Sequence, residues 1–301
     1  MDNKMSSVEM MATYNAEWYG DQGNESYKSA KATLDSIAEL LLNLSDGVTS
    51  VIDVGCGVGT WLRAWQEKYG NISICGIDGN SVESERFFIP YNFFHRIDLT
   101  ADSNAIVSEV LEHCKNADIK TNTQNTNDTN SDTLRHNGGG GGGKPFSIAQ
   151  SLEVAEHLYA EYAENFVRTL TSLSDIILFS AAIPHQGGTH HVNEQPPAYW
   201  ADIFKKYDYV CFDIVRPKVW ENTKIAHWYR QNIMLYVHKG KAEIFEALGY
   251  KITPKPMHLV HPFIYGYMSD CQLEIERLNK KLNKTFFRRL NRLSKKLRGK
   301  L

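Results

Sequence analysis

The sequence predicts an α/β fold: a seven-stranded, mostly parallel, doubly wound sheet, followed by a basic amphipathic helix at the C-terminal end. Three observations carry that prediction. Short apolar runs alternate with segments of helical spacing between residues 29 and 240. A glycine turn, Gly55-Cys56-Gly57-Val58-Gly59, directly follows the first apolar run. From Cys271 onward, Ile275, Leu278, Leu282, Phe286, Leu290, Leu293 and Leu297 recur every three or four residues while Lys and Arg fill other positions.

Ser29 to Leu44 reads as a helix because Ala30, Leu34, Ile37, Leu41 and Leu44 fall on one face. Val51 to Val54 is a short buried strand interrupted only by Asp53, and Thr60 to Tyr69 resumes helical spacing through Trp61, Leu62 and Trp65. Asn71 to Ile77 is the second strand, ending at Asp78; strand, glycine turn, helix, strand implies a parallel pair. Phe93 to Ile97 is the third strand, ending at Asp98, with a helix after it from Ala105 to Cys114. Phe146 to Leu152, Ile176 to Ala181, Tyr209 to Val215 and Asn232 to Val237 complete the seven, with helices at Tyr159 to Leu173 and Tyr199 to Lys206. No long helix separates the last two strands, so they are expected to pair antiparallel at one end of the sheet.

This pattern divides the chain into an N-terminal cap segment (1–28), a main domain (29–240), a linker or accessory segment (241–269) and the basic helix (270–301). Within the main domain, 115–144 is rich in Asn, Thr, Asp and Gly with almost nothing large and apolar to bury, and reads as a low-complexity surface insertion. Its run Gly138 to Gly143 lacks the Lys-Ser/Thr and the helix of a phosphate-binding loop.

Charge is unevenly placed. Cys271 to Leu301 holds eleven Lys and Arg against two Glu, a local net of +9, so the rest of the chain carries −11 of the overall −2. So acidic a body is a poor surface for nucleic acid. Five cysteines without metal-type spacing point to a reducing compartment, and neither a leader-like N-terminus nor a run of about 18 apolar residues occurs. The expectation is a cytoplasmic protein.

The glycine turn and its flanking acids carry the ligand prediction. Glycine lets backbone pass close to a ligand where a strand enters a helix. Asp78, 19 residues beyond Gly59, suits a carboxylate that accepts ribose hydroxyls, and Asp98 is placed to accept an adenine amino group. A dinucleotide site spaces its glycines GxGxxG and sets a pyrophosphate on the helix. Here the spacing is GxGxG and Asp53 precedes it. An acid there repels a pyrophosphate but suits the cationic amino-acid end of S-adenosylmethionine (SAM).

With Asp53, Gly55, Gly57, Gly59, Asp78, Asp98 and the stretch from Ser151 to Leu158 in view, the chain resembles the class I SAM-dependent methyltransferases, a Rossmann-like family, from about Ser29 to Lys239. Gly76 to Gly79, Phe179 to Pro184, His191 to Gln195 and Trp228 to Asn232 look like a bacterial subgroup associated with surface-polysaccharide and glycosyltransferase gene clusters. The resemblance implies SAM as cofactor, held by Asp53, Gly55, Gly57, Gly59, Asp78, Asp98 and Glu153. It also implies O-methylation of a glycan or glycan precursor, with Glu156, His157 and His191 as catalytic residues. Two departures are the 115–144 insertion and Ser147, which stands where the fourth strand often carries Asp.

Glu153, Glu156 and His157 stand at i, i+3 and i+4, a spacing that puts them on one face and can bind a divalent cation such as Mg2+ or Zn2+. Similar Glu-x-x-Glu-His sequences ligate metal in ubiquinone-pathway O-methyltransferases and in small-RNA 2′-O-methyltransferases, the latter adding a His from the loop after the fifth strand. The resemblance thus implies a Glu153, Glu156, His157, His191 metal site. The alternative is a metal-free turn that packs the helix and lines the acceptor pocket.

His185, His190, Asn193, Glu194 and Gln195 share the loop with His191, and its polar load suits hydrogen bonding to a hydroxylated acceptor. Trp220, Trp228, Tyr229 and Arg230 either stack on a sugar ring or cover the sheet edge. Two other functions stay open: a small-molecule O-methyltransferase acting on a quinone-like or secondary-metabolite hydroxyl, and a non-catalytic SAM-binding scaffold. For the C-terminal helix three readings stay open: a peripheral helix on anionic lipid at the inner membrane surface, a short coiled coil that forms a homodimer or docks a partner, and packing onto the acidic body.

Overall fold

The computed structural model describes residues 20–42, 44, 47–122 and 143–298. The chain divides into two compact units, Met1–Leu259 and Val260–Leu301. In the first, helices α1 (Gly20–Ser36) and α2 (Ala38–Leu42) precede β1 (Ser50–Val54), α3 (Thr60–Tyr69), β2 (Ser73–Asp78), β3 (Phe94–Arg96) and α4 (Ser103–Asn116). Then come β4 (Ile148–Leu152), α5 (Ala163–Leu173), β5 (Ile176–Ser180), α6 (Pro197–Lys205) and β6 (Tyr209–Phe212). The unit closes with α7 (Arg216–Val219), α8 (His227–Asn232), β7 (Met234–His238) and α9 (Ala242–Ala247).

The seven strands form one sheet in the order β3-β2-β1-β4-β5-β7-β6. Neighbours from β3 to β5 are parallel, and β7 runs antiparallel to both β5 and β6. The predicted Rossmann-like, doubly wound sheet is thus present, with its antiparallel strand inserted one place in from the edge.

Burial on both faces follows from the two-residue period of a strand. Ile52, Val54, Cys75, Ile77 and Ala149 share one apolar layer with Val110 of α4, Phe166 and Leu170 of α5 and Phe204 of α6. Val51, Ile74, Ile148 and Leu178 share the other with Ala30 and Leu34 of α1, Leu62 and Trp65 of α3 and Phe245 of α9. Residues 242–247, read from sequence as part of a linker or accessory segment, therefore contribute to the sheet cover.

Several boundaries differ from the sequence expectation, each for a local reason. Helix α1 begins at Gly20, although its first turns lack apolar spacing. The helix expected from Tyr159 begins at Ala163, after a single 3-10 turn at Ala160–Tyr162. The insertion leaves and re-enters the fold at one point, where the Asn122 N–H donates to the Pro145 carbonyl at 2.8 Å. Ile119 is buried beside α4. The remaining insertion residues, 123–142, and residues 1–19 of the expected cap lie outside the described residues.

The second unit is dominated by one long helix, α10 (Pro262–Arg298), which starts eight residues before the expected 270. Ile275, Leu278, Leu282 and Phe286 along it are exposed. Among the described residues, no helix is long and apolar enough to cross a membrane.

Candidate active site

A cavity of about 440 Å³ opens at the carboxyl ends of the parallel strands, where a doubly wound sheet binds ligands. Asp53, Asp78 and Asp98 line one end, with Gly55, Gly57 and Thr100; Glu156, His157, Gly188 and His191 line it too, with His227 and Trp228.

The turn after β1 is tight enough to demand glycine. Gly55 has φ 86°, and a β-carbon there would lie 2.4 Å from Val154 Cγ2. Gly59 has φ 77° and caps α3; a β-carbon there would lie 2.7 Å from Ile89 Cγ1. Gly59 is absent from the cavity wall, so its part is to shape the turn. Between them, Gly57 is clamped from the end of β2: its N–H donates to Asp78 Oδ2 at 2.8 Å and its carbonyl accepts from Asn80 Nδ2 at 2.9 Å.

Asp78 also accepts from the Asn80 N–H at 2.8 Å through Oδ1. Burial raises its pKa even so, against the lowering effect of the Gly57 and Asn80 donors. Burial pushes Asp53 up to about 7, with the Gln150 amide opposing and the Asp78 carboxylate adding to the rise. The register explains the neighbourhood, since Asp53 pairs with Gly76 of β2 on one side and Gln150 of β4 on the other. Asp98 Oδ1 accepts from the Thr100 N–H at 2.9 Å and its hydroxyl at 2.7 Å. The buried Asp53 and the half-buried Asp78, both of which resist ionisation, create a site that prefers a cationic ligand.

After β4 the chain does not enter a helix. Glu153 sits at φ 57° and residues 155–157 form one 3-10 turn, so the expected single face of Glu153, Glu156 and His157 does not form. Glu153 turns to an amide cluster: Asn232 Nδ2 donates to Oε1 at 3.0 Å and to Oε2 at 3.2 Å, and Gln186 Nε2 donates to Oε2 at 3.0 Å. Glu156, His157 and His191 do come together, with donor atoms within 4.8 Å of one another. Glu156 is fully buried and neither carboxylate oxygen has a hydrogen-bond partner. Burial, reinforced by the Glu153 charge, raises its pKa well above the carboxylate range. Desolvation, with His191 adding to it, lowers His157 to about 4, so its ring is neutral at physiological pH. The His157 and His191 rings meet edge to face with centroids 4.8 Å apart.

At the mouth, Trp228 and Tyr229 line the cavity, and the Tyr229 hydroxyl lies 3.3 Å from Ser26 Oγ of α1. Trp220 and Arg230 do not line it; Arg230 Nη1 donates to the Trp220 carbonyl at 3.1 Å. Sequence reasoning missed Gln186 and Asn232 as partners of Glu153, 33 and 79 residues away. No local spacing signals such contacts.

No family model and no curated protein matches the sequence. Among solved structures, the chain is similar to magnesium protoporphyrin IX methyltransferase from Synechocystis PCC 6803 with bound SAH, at 17% identity over 79% of this chain and 90% of that one, with a TM-score of 0.38. It is similar to the methyltransferase domain of bacterial CtHen1-C at 12% identity over 71% of this chain and 98% of that one, TM-score 0.41. A third is the plantazolicin methyltransferase BpumL in complex with SAH, at 13% identity over 77% and 90%, TM-score 0.38.

The raised pKa of Asp53 has a consequence for stability. A carboxyl titrating near 7 when folded and near 4 when unfolded binds more protons in the folded state between those values, so its contribution falls as pH rises through 7. Asp53→Asn is expected to stabilise the ligand-free protein at pH 8 by on the order of 2 kcal/mol, with the gain vanishing near pH 4. Thermal unfolding at both pH values checks this; an equal or lower midpoint for the variant at pH 8 contradicts it.

Proposed function

We propose that the chain is a SAM-dependent methyltransferase acting on a hydroxyl, with a glycan or glycan precursor as acceptor. The observation that carries this reading is the placement of Asp53, Asp78 and Asp98 in the wall of one cavity, beside a turn that only glycine fits. Asp53 would face the ammonium of the amino-acid end, Asp78 the ribose hydroxyls and Asp98 the adenine amino group. Two desolvated acids with raised pKa values, Asp53 and Asp78, favour a ligand that brings positive charge, whereas a pyrophosphate would add to the repulsion.

SAM would supply a methyl group on a cationic sulfur, open to in-line displacement. The chain's own contribution is alignment and removal of the hydroxyl proton. His157, lowered to about 4, is a weak proton acceptor but a good ligand, which leaves His191 as the base. Trp228 and His227 line the cavity and would supply aromatic surface for a sugar. The apolar wall of Val58, Trp61, Leu99 and Leu158 supports a second reading, a smaller quinone-like or secondary-metabolite hydroxyl.

Glu156, His157 and His191 fit a divalent cation, since a buried carboxylate without a hydrogen-bond partner faces two imidazoles. That donor set suits Zn2+ better than Mg2+. Glu153 would stay outside it, held by Asn232 and Gln186. A cation held by these three residues would supply Lewis acidity that lowers the proton affinity of the acceptor oxygen, and His191 would then serve as a ligand in place of the base.

We also infer that α10 lies on an anionic lipid surface. Its exposed Ile275, Leu278, Leu282 and Phe286 follow one another at steps of three and four, and no acidic residue occurs after Glu276 while basic residues continue to Lys300.

Isothermal calorimetry with SAM tests the core reading: wild type is expected to bind, and Asp78→Ala to weaken binding at least about tenfold. Absence of wild-type binding sinks it. Labelled SAM incubated with fractionated cell-envelope glycans and with small phenols separates the two acceptor readings. For the cation, Zn2+ binding should release a proton and tighten as pH rises, because Glu156 must ionise. Transfer unchanged by chelation and by Glu156→Gln removes the cation from the reading. The full chain is expected to sediment with phosphatidylglycerol vesicles, not with phosphatidylcholine alone, and Leu278→Glu to abolish this. A concentration-dependent dimer without vesicle binding would assign α10 to self-association instead.

A further inference from the structure

Glu194 organises the loop that carries His191. Its Oε1 accepts from His191 Nδ1 at 2.9 Å and from the Gly187 N–H at 2.7 Å, and its Oε2 accepts from the His185 N–H at 2.7 Å. The His191 and Glu194 side chains are 11% and 19% exposed, so water competes little for these bonds. The segment they tie together is strained. His185 and His190 have φ 68° and 55°, uncommon for residues with a β-carbon and maintained only where the surroundings hold them. One anchor is the Glu156 carbonyl, which accepts from the Val192 and Asn193 N–H groups at 2.9 and 3.0 Å. The Glu194 carboxylate is the other.

An ionised carboxylate only accepts hydrogen bonds, so the ring nitrogen facing it must carry the proton. In a neutral ring the lone pair then belongs to Nε2. That atom lies where a side chain at position 188 would be: a β-carbon on Gly188 would stand 2.2 Å from His191 Nε2.

We propose that Glu194 is a positioning residue that turns the Nδ1–H of His191 toward its carboxylate, with Nε2 left uncovered at the cavity wall because residue 188 is glycine. The inference rests on reading the Glu156, His157 and His191 end of the cavity as the acceptor side, where accepting a hydroxyl proton and ligating a cation both need a lone pair on Nε2. Glu194 acts through the ring and does not itself line the cavity.

The test uses the full chain labelled with 15N-histidine. Long-range 1H–15N correlation at pH 8 reads the tautomer of each ring, with His191 assigned by its loss in His191→Gln. Wild type is expected to show His191 as Nδ1–H. In Glu194→Gln the amide offers one accepting and one donating atom, so in one amide orientation the ring must switch to Nε2–H, and a mixture of tautomers is expected. Glu194→Asp keeps an acceptor-only group and is expected to restore the Nδ1–H form. Gly188→Ala should displace the ring and shift its Nε2 resonance with the Glu194 carboxylate intact. A purely structural Glu194 would alter the thermal midpoint without moving the tautomer. His191 as Nε2–H in wild type, or a tautomer unchanged in Glu194→Gln, overturns the proposal. Should Glu194→Gln fail to fold, the wild-type tautomer decides. Failure of SAM to bind in calorimetry would instead remove the acceptor-side reading, while the tautomer measurement would still decide the role of Glu194.

Discussion

The Gly57 peptide is held from both sides by the end of β2, its N–H on Asp78 and its carbonyl on Asn80. Much of the site follows from that clamp. It draws the turn after β1 over the neighbouring strand, so that Gly55 and Gly59 must take left-handed conformations and leave no room for side chains against Val154 and Ile89. It sets the first turn of α3, whose Trp61 and Thr60 then line the cavity. It also consumes part of the hydrogen-bonding capacity of Asp78, which keeps a half-buried carboxylate in place.

Acidic side chains are concentrated in that cavity against the solvation preference of their ionised forms. Asp53, Asp78, Glu153 and Glu156 all have raised pKa values, each primarily through loss of water. They differ in how they are satisfied. Asp78 and Glu153 have hydrogen-bond donors, whereas Glu156 has none on either oxygen. An arrangement that costs the free protein stability is understandable where a positively charged ligand offsets it. This contrast separates two kinds of carboxylate in the cavity wall: those that accept hydrogen bonds and one that accepts none.

The His191 side of the cavity depends on a segment with little regular structure, the loop from Ile183 to Gln195. Its shape comes from contacts to fixed elements: Gln195 N–H to the Ala182 carbonyl at 3.2 Å, and Val192 and Asn193 N–H groups to the Glu156 carbonyl. Glu194 adds side-chain bonds within the loop. Long polar loops carry chemistry when a rigid scaffold positions them, and here the scaffold is the end of β5 and the turn after β4.

The sequence by itself determined the sheet and the placement of Asp53, Asp78 and the glycine turn at its strand ends, because both are written in short-range patterns. Apolar runs of strand length, helical spacing around Trp61, Leu62 and Trp65, and the acids closing β1 and β2 are local signals set by the periods of strand and helix. The start of α1 at Gly20 was not legible, since polar residues there carry no apolar period. Nor was the fate of Glu153: a three- and four-residue spacing implies one face only on a helix, and the positive φ at Glu153 breaks that premise. Tertiary structure alone decided that Glu153 meets Asn232 and Gln186, that Glu156 is left without a donor, and that Glu194 faces Nδ1 of His191. The first is a long-range contact, and the other two depend on side-chain directions set by left-handed backbone and 3-10 turns. Residue spacing encodes neither.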